Sequence, residues 1–162
     1  MHLQQSLTVE DTIKAKAAFE AYSPSHRVKI KHYHANNGRF ADRKFLEAVE
    51  AENQTISFCE AYTHHQNGKA EKRNHDLQEQ ARTILLHSIS RWPKASSTHL
   101  WPYALAYANE IRNHLPVNAS RRSSLEKFAR TDVQPRLKTF HTFSCPVYTL
   151  NRRLQSGKSI PK

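Results

Sequence analysis

The residues of this chain best placed to do chemistry lie in two short polar segments, YHANNGRF at positions 33–40 and HHQNGKAEKR at positions 64–73. The first closes RVKIKHY, a run in which apolar and basic residues alternate. The second opens a long helical pattern whose first turn carries Glu71, 35 positions after Asn36. Asn-Gly pairs alone mark turns, because both residues accept positive φ at low cost. Their order gives a second meaning: a polar turn at the carboxyl end of a strand, followed by helix, strand and helix, is how open α/β sheets build sites. A helix-borne carboxylate pointing back at such a turn suits a divalent metal ion.

Other chemistries find less support. Cys59 and Cys145 are the two cysteines, far apart and in no Cys-x-x-Cys spacing, so neither a disulfide framework nor a zinc ribbon is indicated. Both read as small buried residues. The eleven histidines, with His32/His34 and His64/His65 as close pairs, make no His-x(3–5)-His array with paired cysteines, and read as solvated or hydrogen-bonded side chains. Trp92 and Trp101 read as core residues rather than base-stacking platforms.

The elements that must position these segments follow from periodicity. Thr8 caps VEDTIKAKAAFEAY, a helix with acids in its first turn and an apolar face at Ile13, Ala17, Ala18 and Tyr22, closed by Ser23-Pro24. Val28, Ile30 and His32 alternate as a strand. ADRKFLEAVEAEN forms a second helix with Phe45, Ala48 and Val49 inward, and TISFCEAY a second strand. From Gly68 a helix carries Leu77, Ala81, Ile84, Leu85 and Ser88 on one stripe and Glu71, Asn74, His75 and Gln78 on another. A helix over positions 98–113 carries Trp101, Leu105 and Ala108, SLEKFAR makes a short one, and FHTFSCPVYTL reads as a late strand or extended segment. The order helix, strand, helix, strand places the chain in the α/β class.

Composition sets the outer limits. The 162 residues fit one domain of ordinary size with an appended tail, and no apolar run reaches the roughly 20 residues that span a bilayer. Neither a signal peptide nor a membrane partner is expected, which places the chain inside the cell. The net charge of +11 is unevenly spread: positions 112–162 hold 11 basic and 2 acidic residues, +9, which leaves +2 for the first 111. A basic final third is the footprint of a polyanion binder and equally of a surface kept soluble by charge.

YHANNGRF followed by HHQNGKAEKR resembles the two later blocks of the catalytic core of integrases, particularly those of copia-type retrotransposons, whose pattern is Asp-Asn-Gly and then Gln-Asn-Gly-x-Ala-Glu. DLQEQARTILLH, LWPYALAYANEIRNHLP and TFSCPVYTL extend the likeness over nearly the whole chain. The resemblance implies a ribonuclease-H-like fold that transfers polynucleotide strands, using two aspartates and a glutamate to hold two Mg²⁺ ions. Carboxylates suit that chemistry because two adjacent hard cations need their charge offset while they stabilise attacking and leaving oxygens.

Carried over residue by residue, the resemblance makes Glu71 the family's metal-binding glutamate and puts Asn36 at the second aspartate, where an amide brings no negative charge. Residues 1–8 resemble the family's third, edge strand, so the strand with the first aspartate has no counterpart. Asp42 and Glu60 read as surface charges rather than substitutes. The family's strand order of third, second, first, fourth, fifth would leave a gap beside the fourth strand and a weakened fold, unless another chain fills it. The expected boundaries are a partial core over 1–130 and a basic extension over 131–162. Asn67, Lys69, Lys72, Asn74 and Gln78 lie where the family faces DNA. Arg121, Arg122, Arg136, Lys138, Arg152 and Arg153 supply further cations.

The function so implied is that of a retrotransposon integrase remnant, nuclear by resemblance, with DNA and other copies or segments of a polyprotein as partners and without strand-transfer activity. Two alternatives stand beside it: an active polynucleotidyl transferase whose missing ligand comes from a longer product or assembly, and a domesticated, non-enzymatic DNA-binding protein.

Overall fold

The computed structural model describes residues 3, 4, 6–59, 68–116, 121–130 and 139–148. Helix α1 spans Val9–Tyr22, strand β1 His32–Ala35, helix α2 Arg43–Glu50, strand β2 Thr55–Phe58, helix α3 Gly68–Arg91, helix α4 Trp101–His114 and helix α5 Ser124–Ala129. The chain is therefore helix-rich, with one small sheet in which β1 and β2 run parallel, His32 opposite Thr55 and Ala35 opposite Phe58. Helix and strand alternate through β2, as an α/β reading requires. Among the described residues no helix is long and apolar enough to cross a membrane.

Two packed regions result. In the first, α3 and α4 lie antiparallel. Arg73 near the start of α3 donates to Asn113 near the end of α4 at 3.1 Å, and the Arg112 guanidinium meets Asp76 at 2.6 Å. Their shared stripe is Leu77, Ala81, Leu85, Ala104 and Ala108, with Trp101, Leu105 and Phe143 packed against it. The three alanines are wholly buried, which lets the two backbones approach closely. At the far end Ser88, Ser96 and Ser144 form a hydroxyl chain with links of 2.5 and 2.6 Å. Helix α5, held by a capping box between Ser123 and Glu126, packs on α4.

The second region sets α1 and α2 on the sheet. Phe45 and Val49 fill its core as their spacing predicts, with Phe40 edge-on to Phe45 at 5.4 Å. Helix α1 begins where expected, its Thr8 cap accepting from the Asp11 amide at 3.3 Å. Its buried face is not the expected one. Thr12 and Lys16 are buried, whereas Ala17, Ala18 and Tyr22 are exposed. The helix turns its polar stripe inward because Glu20, one turn beyond Lys16, is held by hydrogen bonds from Tyr33 and Gln54.

Further expectations are corrected. The first strand begins at His32 rather than Val28. A 3₁₀ turn at Ser23–His26 and a bond from the Val28 amide to the Ser23 carbonyl hold the chain back, so pairing starts only at Lys31. No strand forms at Leu3, Gln4 or Ser6. The Gln4 and Ser6 side chains instead bond the first turn of α1, at the Asp11 carbonyl and carboxylate. Of the late strand or extended segment expected over FHTFSCPVYTL, the described residues 140–148 hold no strand. The Cys145 amide closes a turn on the Thr142 carbonyl, Ser144 takes a left-handed φ of 59°, and Tyr107 donates to the His141 carbonyl. Cys145 is half-buried rather than buried, while Cys59 is buried as expected.

Candidate functional site

The site starts where β1 ends. Asn36 is exposed, and the Asn37 side-chain amide donates to the Cys59 carbonyl at 3.3 Å, tying the turn to the end of β2. Gly38 follows with φ of +135° and ψ of −132°, a conformation that strains any residue bearing a Cβ. That swing starts a 3₁₀ turn, Arg39–Ala41, which delivers Arg39 and Phe40 to the side of the sheet. Asp42, far from any ligand role, ends the turn by capping α2 through the Lys44 amide at 2.9 Å.

Beside this turn lies an open groove of about 600 Å³. One wall is α1, with Thr12, Lys16 and Phe19; the floor is β1; the other wall is the first two turns of α3, with Ala70, Glu71 and Asn74. The fold therefore brings Asn36, Glu71 and Asn74 to one groove although 35 residues separate the first two. Glu71 and Asn74 share a helix face at i, i+3 spacing, and Gln78 continues that stripe one turn on. Lys69, Lys72 and Gln78 are exposed on α3 and do not line the groove. Asn67, like Glu60, lies outside the described residues.

Buried charge on the α1 side of the groove holds that wall in place. Lys16 Nζ reaches Glu20 at 2.8 Å and sits 5.8 Å from the centre of the Tyr33 ring. The other oxygen of Glu20 accepts from the Tyr33 hydroxyl at 2.7 Å and from Gln54 at 2.5 Å. Burial would raise the Glu20 carboxyl, but the hydrogen bonds from Lys16, Tyr33 and Gln54 outweigh it and hold the group below the ordinary glutamate range. Burial and then the neighbouring carboxylate push the Tyr33 phenol well above its usual value. On α3, burial and then the nearby Arg112 depress the Arg73 guanidinium.

Two groove residues were not singled out from sequence. Arg39 is half-buried and lines the groove beside Asn36 and Glu71. Its signal was present, since it follows Asn-Asn-Gly directly. Lys16 had none, because its helix face was read as solvent-facing. Among the described residues no group of three or more His, Cys, Asp or Glu side chains is arranged to hold a metal ion. Of the cations beyond α4, Arg121 and Arg122 are exposed, while Arg136, Lys138, Arg152 and Arg153 lie outside the described residues. Trp101 packs against the α3–α4 core as expected, and Trp92 is half-buried under the Arg91 guanidinium, 5.4 Å from its ring centre.

Comparison with solved structures places this arrangement. The fold is similar to that of part of a chain in a retroviral intasome. Over 91% of its length the protein superposes, with a TM-score of 0.60 and 19% identity, on a chain of the cryo-EM structure of the simian T-cell lymphotropic virus intasome in complex with PP2A regulatory subunit B56 gamma. It spans 48% of that longer chain. No protein-family profile and no curated protein sequence matches. The likeness is one of fold.

Proposed function

We propose that this chain is a remnant of the ribonuclease-H-like catalytic core of a retrotransposon integrase, of the copia type, that keeps contact with DNA and has lost strand transfer. The observation that carries this reading is the groove at the end of β1, where Asn36, Glu71 and Asn74 meet and where Glu71 is the single carboxylate among the described lining residues, Arg39 being another of them. Glu20 is engaged by Lys16, Tyr33 and Gln54 and is not among the groove's lining residues.

That donor set does not fit a pair of Mg²⁺ ions. Two adjacent hard cations need several carboxylate oxygens, whereas among the described residues the groove sets one carboxylate, Glu71, and the neutral amides of Asn36 and Asn74 beside a guanidinium. The same set suits a phosphate backbone. Arg39 supplies a planar donor within the groove, and Lys69 and Lys72 extend positive charge along the exposed face of α3. DNA is accordingly the proposed partner, the nucleus the proposed location, and further integrase segments the proposed company in an assembly.

The test is fluorescence anisotropy of the purified chain with a short DNA duplex across a salt series, with a nicking assay in Mg²⁺ alongside. Affinity should fall steeply with salt, and Arg39→Ala and Lys72→Ala should each reduce the slope by about 1, since each removes one phosphate contact. Mg²⁺ should neither raise the melting midpoint nor produce nicks. Metal-dependent nicking abolished by Glu71→Gln would overturn the inactive reading, and salt-independent binding would overturn the phosphate contacts.

A further inference from the structure

Strand β1 carries a second constellation, which meets the groove at His34. His32 and His34 project to the same side of the strand, as i, i+2 positions must. Opposite them on β2 stand Thr55 and Ser57. His32 Nε2 and His34 Nδ1 both reach Ser57 Oγ, at 2.9 and 2.8 Å, so the two rings aim one nitrogen each at a single point. Their far nitrogens are engaged too: His32 Nδ1 with Thr55 Oγ1 at 2.7 Å, and His34 Nε2 with Cys59 Sγ at 3.4 Å.

We infer that His32 and His34 form a two-imidazole chelate for a divalent transition-metal ion, on the sheet face that carries Ser57. Convergence is the first reason. Each nitrogen is already within hydrogen-bond distance of one common atom, Ser57 Oγ, so rotation of that hydroxyl about its Cα–Cβ bond would free the point of convergence for an ion, and metal–imidazole bonds of about 2.0 to 2.1 Å would then need the rings to close in by under about 1 Å. Orientation is the second. Metal-binding histidines have their other ring nitrogen hydrogen-bonded, which fixes tautomer and ring plane, and Thr55 and Cys59 supply that partner here. Access is the third, because both rings are exposed and water can complete the coordination.

Imidazole nitrogen selects Zn²⁺, Ni²⁺ and Cu²⁺ over Mg²⁺ and Ca²⁺, so this site is chemically separate from any Mg²⁺ chemistry at the groove. Ser57 is a neutral hydroxyl and a weak donor to such ions. Cys59 is buried and already holds His34, so it orients the ligand rather than binding the ion.

The experiment is calorimetric titration of the full chain with Ni²⁺, which does not oxidise the thiol, followed by His32→Asn, His34→Asn and the double variant. The wild-type chain should bind one Ni²⁺ per chain above the weak background of its other histidines. Removing a group that merely orients a ligand costs about 10- to 100-fold, and a ligand itself at least as much, so each single variant should bind more than about tenfold weaker. Circular dichroism should be unchanged in both, because the replaced rings are exposed. Cys59→Ser should retain the one-to-one event within about threefold, since the serine hydroxyl can keep the orienting hydrogen bond to His34 Nε2. The inference is overturned by a wild-type chain with no saturable one-to-one event, by unchanged affinity in the double variant, or by loss of the event in Cys59→Ser with both histidines intact.

Discussion

The α3–α4 hairpin and the α1–β1–α2–β2 region are built on opposite principles. The hairpin buries a contiguous stripe of Leu77, Ala81, Leu85, Ala104 and Ala108 and keeps its ion pair, Arg112 with Asp76, near the rim. The sheet region has a smaller apolar core around Phe45 and Val49 and buries a charged pair, Lys16 with Glu20, at the groove wall. Apolar burial is tolerant of conditions, whereas a buried ion pair is stable only while both partners stay charged and engaged. The groove lies between them, with α1 and β1 on one side and α3 on the other. A rigid helix thus presents Glu71 and Asn74 toward a more labile partner.

The sharpest way to break the contrast is Leu85→Ala, which opens a cavity in the hairpin. It should cost about 3 kcal/mol, read as a lower urea midpoint by tryptophan fluorescence, because Trp92 and Trp101 both belong to the hairpin. A cost below about 1 kcal/mol would mean that the stripe is not the main source of stability.

Glu20→Gln comes next, at about 2 to 3 kcal/mol, since it leaves Lys16 buried without its counter-charge. Hydrogen exchange should then rise in β1 and α1 while α3 stays protected, and uniform loss of protection would show that the two regions unfold as one.

Acid should act in the same direction as that substitution. The Glu20 carboxyl lies below its ordinary value near 4.5 in the folded chain, so the stability it contributes is fully present above that pH. It is lost as pH falls through the lower, folded value. Amide exchange followed downward from pH 6 should therefore loosen the sheet region before the hairpin, and an opposite order would remove Glu20 as the sensitive group.

The smallest effect concerns the capping box of α5. Ser123→Ala should cost about 1 kcal/mol, seen as a modest fall in the melting midpoint with the proposed DNA binding at the groove unchanged. A change in DNA affinity would tie α5 to the site.

Legibility from sequence followed the same division. The hairpin stripe was readable because Leu77, Ala81, Leu85 and Ser88 recur at helical spacing over about three turns of α3, and all four are buried. The short elements were less so. RVKIKHY alternates well enough for a strand, yet a local turn delays pairing to its last residues. Arg39 was in plain view within YHANNGRF but carried no weight until Gly38 turned it into the groove.

The sequence by itself determined the order of helices and strands from α1 to α3, the core of the hairpin and the Thr8 cap. Each of these rests on local spacing or on motif order, which short segments encode directly. Only the tertiary structure decided which face of α1 is buried, that Lys16 stands in a groove wall, and that His32 and His34 converge on Ser57. Those outcomes depend on partners 13 to 34 residues away, Tyr33, Gln54 and Ser57 among them, and a periodicity read along one segment contains no information about a charge waiting on another.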